Sequence, residues 1–326
     1  NSKRNINPKE ICDQIKKGNI TALSKAITLS ESNIDSDQEL ANKILAKLKT
    51  KNNDSIRIGI TGVPGAGKST FIESFGNHIT NLGLKLAVLT IDPSSSVTKG
   101  SILGDKTRME TLSANKNVFI RPSPASNFQG GVGKNTRESI FLCESAGYDI
   151  ILIETVGVGQ NEISVAEMVD FFLLLKISGS GDELQGIKRG IIEMSDLIAI
   201  NKCDGDNVKD SIKAKNEFKL ALQLFPKKKS NWKPQVLTCS SLTGEGLAEI
   251  WECITNYVNL TKKNNYFYEN RINQNKSWLL QIIDYSLRKS FFNRKSVKLK
   301  LDNLIKKIEE QKISIFEASR KILSEI

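Results

Sequence analysis

Apolar positions along the chain change rhythm twice. Through residues 1–50 they recur at helical spacing between helix punctuation. Asn7-Pro8 puts a proline at a helix start, Gly18-Asn19 marks a stop, and Ser36 precedes an apolar series from Leu40 to Leu48. From Ile56 short apolar runs alternate with helical stretches and glycine-rich turns, at residues 56–60, 84–91, 150–153, 171–177, 197–200 and 236–238. Runs that are apolar throughout suit strands buried on both faces of a parallel sheet. Residues 226–234 form a basic loop before the last of these strands. After Leu260, Asn264-Asn265 marks a boundary, and helical periodicity resumes to the end. The pattern predicts an α/β fold, a mostly parallel sheet covered by helices on both faces, with helical extensions at both ends. The expected divisions are 1–53, 54–260 and 261–326. No internal repeat or low-complexity tract interrupts them.

Composition narrows the chemistry. The chain has 326 residues, 39% of them hydrophobic and 25% charged, an ordinary globular balance. No apolar stretch reaches membrane-spanning length, and the start carries no apolar signal segment. The sequence does not open on Met, so residue 1 reads as an internal position, and the chain reads as soluble and cytoplasmic. One histidine, His78, leaves little room for a Ser-His-Asp triad or a multi-histidine metal site. Cys12, Cys143, Cys203, Cys239 and Cys253 are odd in number and contain no C-x-x-C pair, so reduced thiols are expected.

The net charge is +11 and is uneven. Residues 261–326 hold 15 Lys/Arg against 7 Asp/Glu, and residues 1–53 hold 10 against 6. In the C-terminal part the charges interleave with Leu299, Leu301, Leu304, Ile305 and Ile308 at helical spacing. That is the pattern of amphipathic helices with solvated outer faces. It favours an acidic protein partner or a self-association arm over nucleic acid.

The strongest local signal is Gly62-Val63-Pro64-Gly65-Ala66-Gly67-Lys68-Ser69, which fits G-x-x-x-x-G-K-[ST] at every position. It follows a predicted strand and opens a predicted helix through Thr70, Phe71, Ile72 and Phe75. The glycines let the backbone N–H groups turn inward towards phosphate oxygens, aided by the helix N-terminus. Lys68 neutralises the terminal phosphates in this reading, and Ser69 ligates Mg²⁺. Gly62, Gly65, Ala66, Gly67 and Thr70 complete the phosphate-binding set. Asp92 and Glu154 stand at the ends of two strands and are expected to face the same crevice as metal-site acids. Asp105 is a further acidic candidate. Glu154 runs into Thr155-Val156-Gly157, whose glycine N–H is placed to sense a γ-phosphate.

Asn201-Lys202-Cys203-Asp204 follows the strand at 197–200 and has the form N-K-x-D. The Asp204 carboxylate can accept from both N1–H and the 2-amino group of guanine, donors that adenine lacks. A hydrogen bond to a charged group is worth roughly 1.5–3 kcal/mol. Lys202 lays its stem over the base in this reading, Asn201 ties neighbouring loops, and Ser240-Ser241-Leu242 offers N–H groups to guanine O6. After a P-loop in this order, the motif points to GTP and GDP rather than ATP.

Taken together these motifs resemble the MeaB/ArgK/MMAA family within the SIMIBI class of P-loop GTPases. The resemblance rests on the P-loop, Asp92-Pro93-Ser94-Ser95, the stretch from Gly100 to Met109, Arg121-Pro122-Ser123-Pro124, Glu154-Thr155-Val156-Gly157-Val158-Gly159-Gln160 and the stretch from Gly181 to Lys188. It is dense from about residue 56 to 250, and Asn161 departs from the commonest family residue. It implies a P-loop NTPase fold and a GTP-hydrolysing chaperone that gates cofactor loading and protects an adenosylcobalamin-dependent acyl-CoA mutase, chiefly methylmalonyl-CoA mutase. The mutase's adenosyltransferase is a further implied partner, and a homodimer through the C-terminal helices is implied as well. The chain has no D-x-H-x-x-G, so it would serve cobalamin as a partner, not as a carrier.

Ras-like GTPases place a water-orienting glutamine directly after the glycine of the D-x-x-G turn. Here Gly157 is followed by Val158, which predicts slow intrinsic hydrolysis accelerated by a partner. Gln160 is either a substitute or a plain turn residue. Arg108 and Lys188 are the candidate charge stabilisers, each in a glycine-containing segment. Two rival readings differ in class. A kinase or ATPase linked to lysine/arginine/ornithine transport requires an acceptor pocket and a general base, and no residue is assigned to either. A metal-insertion GTPase delivering nickel is disfavoured by the single histidine and scattered cysteines.

Overall fold

Local capping chemistry sets the first helices of the computed structural model, which describes residues 7–49, 54–92, 109–124, 131–155, 161–179 and 189–324. Asn7 Oδ1 accepts the Lys9 N–H at 3.0 Å and Pro8 occupies the first turn of α1 (Pro8–Lys16). The chain leaves α1 through Gly18 at φ 78°, and Asn19 caps α2 (Ile20–Glu31) by accepting the Ala22 N–H at 2.9 Å. Helix α3 (Asp35–Lys47) follows, and the apolar faces of all three helices join one core cluster through Ile15, Leu23, Ile27 and Ile44.

The central elements alternate along the chain: β1 (Ile56–Gly62), α4 (Lys68–Asn81), β2 (Leu86–Asp92), α5 (Glu110–Ser113), β3 (Val118–Pro124), α6 (Gly131–Ser145), β4 (Ile150–Thr155), α7 (Asn161–Ala166), β5 (Phe171–Ile177), α8 (Arg189–Met194), β6 (Leu197–Asn201), α9 (Val208–Leu222), β7 (Gln235–Thr238) and α10 (Leu247–Lys263). The strands form one sheet in the order β3-β2-β4-β1-β5-β6-β7, and every neighbouring pair is parallel. A parallel sheet puts the C-terminal ends of all its strands on one edge, where ligands of this architecture bind. Strand β1 lies between β4 and β5, with Ile60 opposite Glu154 and Gly62 opposite Leu175.

Each sheet face is covered, so strand residues on both sides are apolar. Phe71 and Phe75 of α4 and Ile250, Ile254 and Tyr257 of α10 pack one face together with Ile58, Leu152 and Leu173. Phe71 and Phe75 stack at 5.2 Å, and Tyr257 meets Phe171 edge-on at 5.1 Å. The other face carries the N-terminal helices and α6 against Leu89, Ile151 and Ile153. Fully burying one such Ile or Phe contributes roughly 1.5–3 kcal/mol. Strand β3 falls outside the runs expected from hydrophobicity. Its sequence, Val118 to Pro124, contains two prolines, and it is an edge strand, where a missing N–H can face away from the ladder.

The contacts divide the chain into residues Asn1–Gln274 and Asn275–Ile326. The first unit extends past Leu260 because the opening turns of α11 (Tyr266–Asn293) are tied to the N-terminal edge of the sheet. Arg271 Nε and Nη2 donate to the two Asp170 oxygens at 2.8 and 2.7 Å, and Gln274 Nε2 donates to the Val169 carbonyl at 2.7 Å. The second unit has its own small core, Val297 and Leu304 of α12 (Lys295–Glu309) with Ala318 and Ile322 of α13 (Ile315–Leu323). Among the described residues no helix is long and apolar enough to cross a membrane.

Candidate nucleotide site

The loop between β1 and α4 sits at the C-terminal edge of the central strand. Gly62 closes β1, and a Cβ there would lie 2.3 Å from the Leu175 carbonyl oxygen, so no side chain fits. Gly67 has φ 85° and a Cβ on it would approach Asn201 Nδ2 to 2.9 Å. Both constraints bring the loop backbone close to the neighbouring strand ends. Ala66 is buried, while Gly65 and Thr70 are exposed on the loop and on the first turn of α4. Lys68 Nζ donates to the carbonyls of Gly62 at 2.8 Å and Val63 at 3.3 Å, so its ammonium lies inside the curl of the loop. Burial lowers the Lys68 pKa, and the carboxylates of Glu154 and Glu162 push it back up.

Ser69 and Glu154 come from different elements and meet. The Ser69 hydroxyl donates to Glu154 Oε1 at 3.5 Å, which puts a hydroxyl and a carboxylate oxygen beside the P-loop lysine. Beneath them, Thr155 Oγ1 donates to Thr61 Oγ1 at 2.9 Å and ties the ends of β4 and β1. Asp92 is the last residue of β2, opposite Pro124. Asp105, Arg108, Gly157, Gln160 and Lys188 lie outside the described residues.

The N-K-x-D motif is knit to the same loop. Asn201 is 1% exposed, a polar side chain with all its bonds inside the protein. Its Nδ2 donates to the Ala66 carbonyl at 2.9 Å, and its Oδ1 accepts from Ser241 N at 3.1 Å and Ser241 Oγ at 2.8 Å. One amide therefore fixes the P-loop, the end of β6 and the turn after β7 together. Lys202 is exposed with φ 59°, a left-handed conformation that a lysine adopts at a cost of order 1 kcal/mol. The Ser240 hydroxyl donates to Asp204 Oδ2, orienting the carboxylate, and the Cys203 N–H donates to the Cys239 carbonyl at 3.0 Å. Lys68, Ser69, Glu154, Asn201, Asp204, Ser240 and Ser241 thus line one edge of the sheet.

Two contributors escape the sequence reading. Ser74, on α4, donates to the Ser241 carbonyl at 2.6 Å and braces the turn after β7 from α4. Glu162, in the first turn of α7, is 2% exposed and acts on Lys68. Its position after Gln160-Asn161 was the available signal, but burial of a glutamate there is decided by the fold.

The family model described as methylmalonyl Co-A mutase-associated GTPase MeaB matches residues 23–296. The chain belongs to the MeaB family of GTPases. It is 46% identical to the GTPase ArgK of Escherichia coli, over 82% of this chain and 80% of that one. It is 43% identical to the mitochondrial methylmalonic aciduria type A homolog of Mus musculus, over 90% of this chain and 73% of the relative. A crystal structure titled LAO/AO transport system kinase superposes with a TM-score of 0.75 at 34% identity and covers 98% of both chains. As a MeaB-family P-loop GTPase the protein binds guanine nucleotide and hydrolyses GTP. The geometry is compatible with that activity: the Lys68 ammonium lies inside the loop after β1, and the Asp204 carboxylate is held by Ser240 at the same edge of the sheet.

Proposed function

We propose that this GTPase is the chaperone of an adenosylcobalamin-dependent acyl-CoA mutase of the methylmalonyl-CoA type, gating cofactor loading and protecting the mutase. The observation that carries the reading is the match to the mutase-associated GTPase family over residues 23–296, which spans the whole nucleotide site. Hydrolysis acts as the gate, and the mutase, with its adenosyltransferase as a further partner, accelerates a slow intrinsic turnover. Residues 54–260 form the G domain in this reading, 1–53 its N-terminal extension and 261–326 an arm. The cytoplasm is its compartment.

Within the site, Lys68 and the P-loop amides hold the phosphates, and Asp204 reads the guanine with Lys202 along its face. The Ser69–Glu154 contact supplies oxygen donors suited to a hard cation, so the residues present fit Mg²⁺. Ser69, Asp92, Asp105 and Glu154 would hold it, and the ion would neutralise phosphate charge. Arg108 and Lys188 are the proposed charge stabilisers.

The reading is tested by measuring GTP turnover with and without purified methylmalonyl-CoA mutase. Turnover that rises with mutase concentration and saturates supports it, and turnover indifferent to the mutase together with no measurable binding sinks it. In the same assay Asp204→Asn should weaken GTP and GDP by about tenfold or more, because the lost acceptor faces two guanine donors. An unchanged GTP-to-ATP affinity ratio would remove Asp204 from base recognition.

The C-terminal arm is the proposed dimer interface. Leu279, Leu280, Ile283 and Leu287 of α11 are 58%, 67%, 45% and 63% exposed, an apolar series that a second copy could cover. A chain ending at Gln274 keeps the Arg271 and Gln274 anchors and should sediment as a monomer that still binds GTP. An intact protein that is monomeric at micromolar concentration, or a truncated one that stays dimeric, defeats the assignment.

A further inference from the structure

Ser74 directs its hydroxyl away from its own helix. A serine inside a helix commonly bonds back to the carbonyl four residues earlier, as Ser145 does at 2.8 Å and Ser286 at 2.7 Å. Ser74 instead donates to the Ser241 carbonyl at 2.6 Å, across 167 residues of sequence. Its helix is firmly seated, with Phe71 and Phe75 fully buried on either side of it, and Lys68 and Ser69 open the same helix. One rigid element therefore carries phosphate-site residues at its start and, about 9 Å beyond Lys68, a brace on the turn after β7.

That turn is pinned at Ser241 from both sides. Ser74 holds its carbonyl, while its N–H and its hydroxyl donate to Asn201 Oδ1 at 3.1 and 2.8 Å. The same oxygen receives the Cys239 thiol at 3.7 Å. Three donors share an acceptor with two lone pairs, so the Ser241 N–H can pass to another acceptor without orphaning the amide. The next two N–H groups are engaged differently. Leu242 and Thr243 donate to Ser240 Oγ at 3.3 and 3.1 Å, and that hydroxyl donates to Asp204. The Ser241 N–H is thus the donor that this turn can release to a base held by Asp204. The turn closes without Ser74, because Ser240 N–H donates to the Glu245 carbonyl and Gly244 N–H to the Ser240 carbonyl, both at 2.9 Å. Ser74 adds a fixed distance between the turn and α4.

We infer, on the reading of Asp204 and this turn as the guanine site, that Ser74 is a positioning residue for base recognition, holding Ser241 so that its N–H meets guanine O6. Ser74 acts through the Ser241 carbonyl and touches neither base nor phosphate in this role. Its side chain is half-buried, so water can satisfy the freed carbonyl when the hydroxyl is removed. The loss then falls on the placement of the turn and not on the fold.

Nucleoside diphosphates titrated into the full chain test this without turnover. In 6-thioguanosine diphosphate a weakly accepting sulfur replaces O6, whereas inosine diphosphate keeps O6 and lacks the 2-amino group that faces Asp204. Ser74→Ala should bind GDP and inosine diphosphate about three- to tenfold more weakly than wild type, the scale of one hydrogen bond. Its affinity for the thio analogue should stay near wild type, and so should its melting temperature without nucleotide. Ser74→Thr keeps the hydroxyl and should restore GDP affinity. Ser74→Cys, with a weaker donor in a similar volume, repeats the comparison if the alanine variant does not fold. An equal loss for all three diphosphates would make the brace merely structural and overturn the positioning role, as would unchanged GDP affinity. Wild-type protein that binds the thio analogue as tightly as GDP, but inosine diphosphate more weakly, overturns the O6 contact and Ser74 with it while leaving Asp204 in place. Wild-type protein that binds ADP as tightly as GDP overturns the guanine site itself.

Discussion

Lys68→Ala should lower GTP turnover by at least about a hundredfold, the scale on which loss of a preorganised charge at a reacting phosphate is felt. The ammonium already lies within the loop, held by the Gly62 and Val63 carbonyls at 2.8 and 3.3 Å. The loop itself, from Gly62 to Gly67, contains no other cation. The same substitution should not lower the melting temperature of the nucleotide-free protein. Burial disfavours the charged lysine, and its pKa is lowered even with Glu154 and Glu162 nearby, so its removal relieves a cost of the folded state. A side chain that is unfavourable for folding and required for turnover is the trade expected at a functional site. Wild-type turnover in this variant would remove Lys68 from the phosphate site. Lost turnover accompanied by a lowered melting temperature would assign it a structural role instead.

The sequence alone carried the parts of this arrangement that depend on local pattern. The P-loop and N-K-x-D stand beside strands that hydrophobic runs mark out, and parallel topology brings such strand ends to one edge. The helix start at Asn7-Pro8 and the stop at Gly18-Asn19 lie where punctuation placed them, because such signals act over two or three residues, and the structure adds that Asn7 and Asn19 each cap the helix that follows. Strand β3 was missed for a physical reason. Pro122 and Pro124 argue against a strand in general, and only its place at the sheet edge makes them tolerable. Ser74 escaped because its partner, the Ser241 carbonyl, is distant along the chain, and nothing about a helical serine announces such a bond. Glu162 escaped likewise, since its burial depends on how α7 packs against β1 and β4. That approach is close: a Cβ on Gly59 of β1 would lie 3.0 Å from Val165 Cγ1.

The least legible feature is the charged cluster at the opposite edge of the sheet, and its loss should destabilise the fold most. Arg271→Met should cost about 3–5 kcal/mol, the penalty for leaving a buried charge without its partner. The Asp170 side chain is 2% exposed and receives both arms of the Arg271 fork at 2.8 and 2.7 Å. Arg271 Nη2 also donates to the Ser55 carbonyl at 2.5 Å, and its Nη1 lies 3.7 Å from Glu144 Oε1. Burial alone would lower the pKa of this guanidinium, but the carboxylates of Asp170 and Glu144 outweigh it and raise it. The Arg57 N–H at 2.8 Å from Asp170 and the Arg57 guanidinium at 2.7 Å from Glu144 remain in the variant, so the cluster is weakened and not abolished. Lysine should rescue poorly, because one ammonium cannot reproduce two parallel N–H bonds to a carboxylate. Adding Asp170→Asn to Arg271→Met should recover part of the loss, since the orphaned charge disappears, and the urea midpoints of the four proteins give the coupling directly. GTP affinity of the folded variant should stay near wild type. The P-loop follows the far end of β1, about 17 Å from Arg57 at the usual strand rise. An unchanged urea midpoint for Arg271→Met would mean that the network contributes no net stability. Weakened GTP binding in protein that is still folded would mean that strain at this edge travels along β1 to the nucleotide.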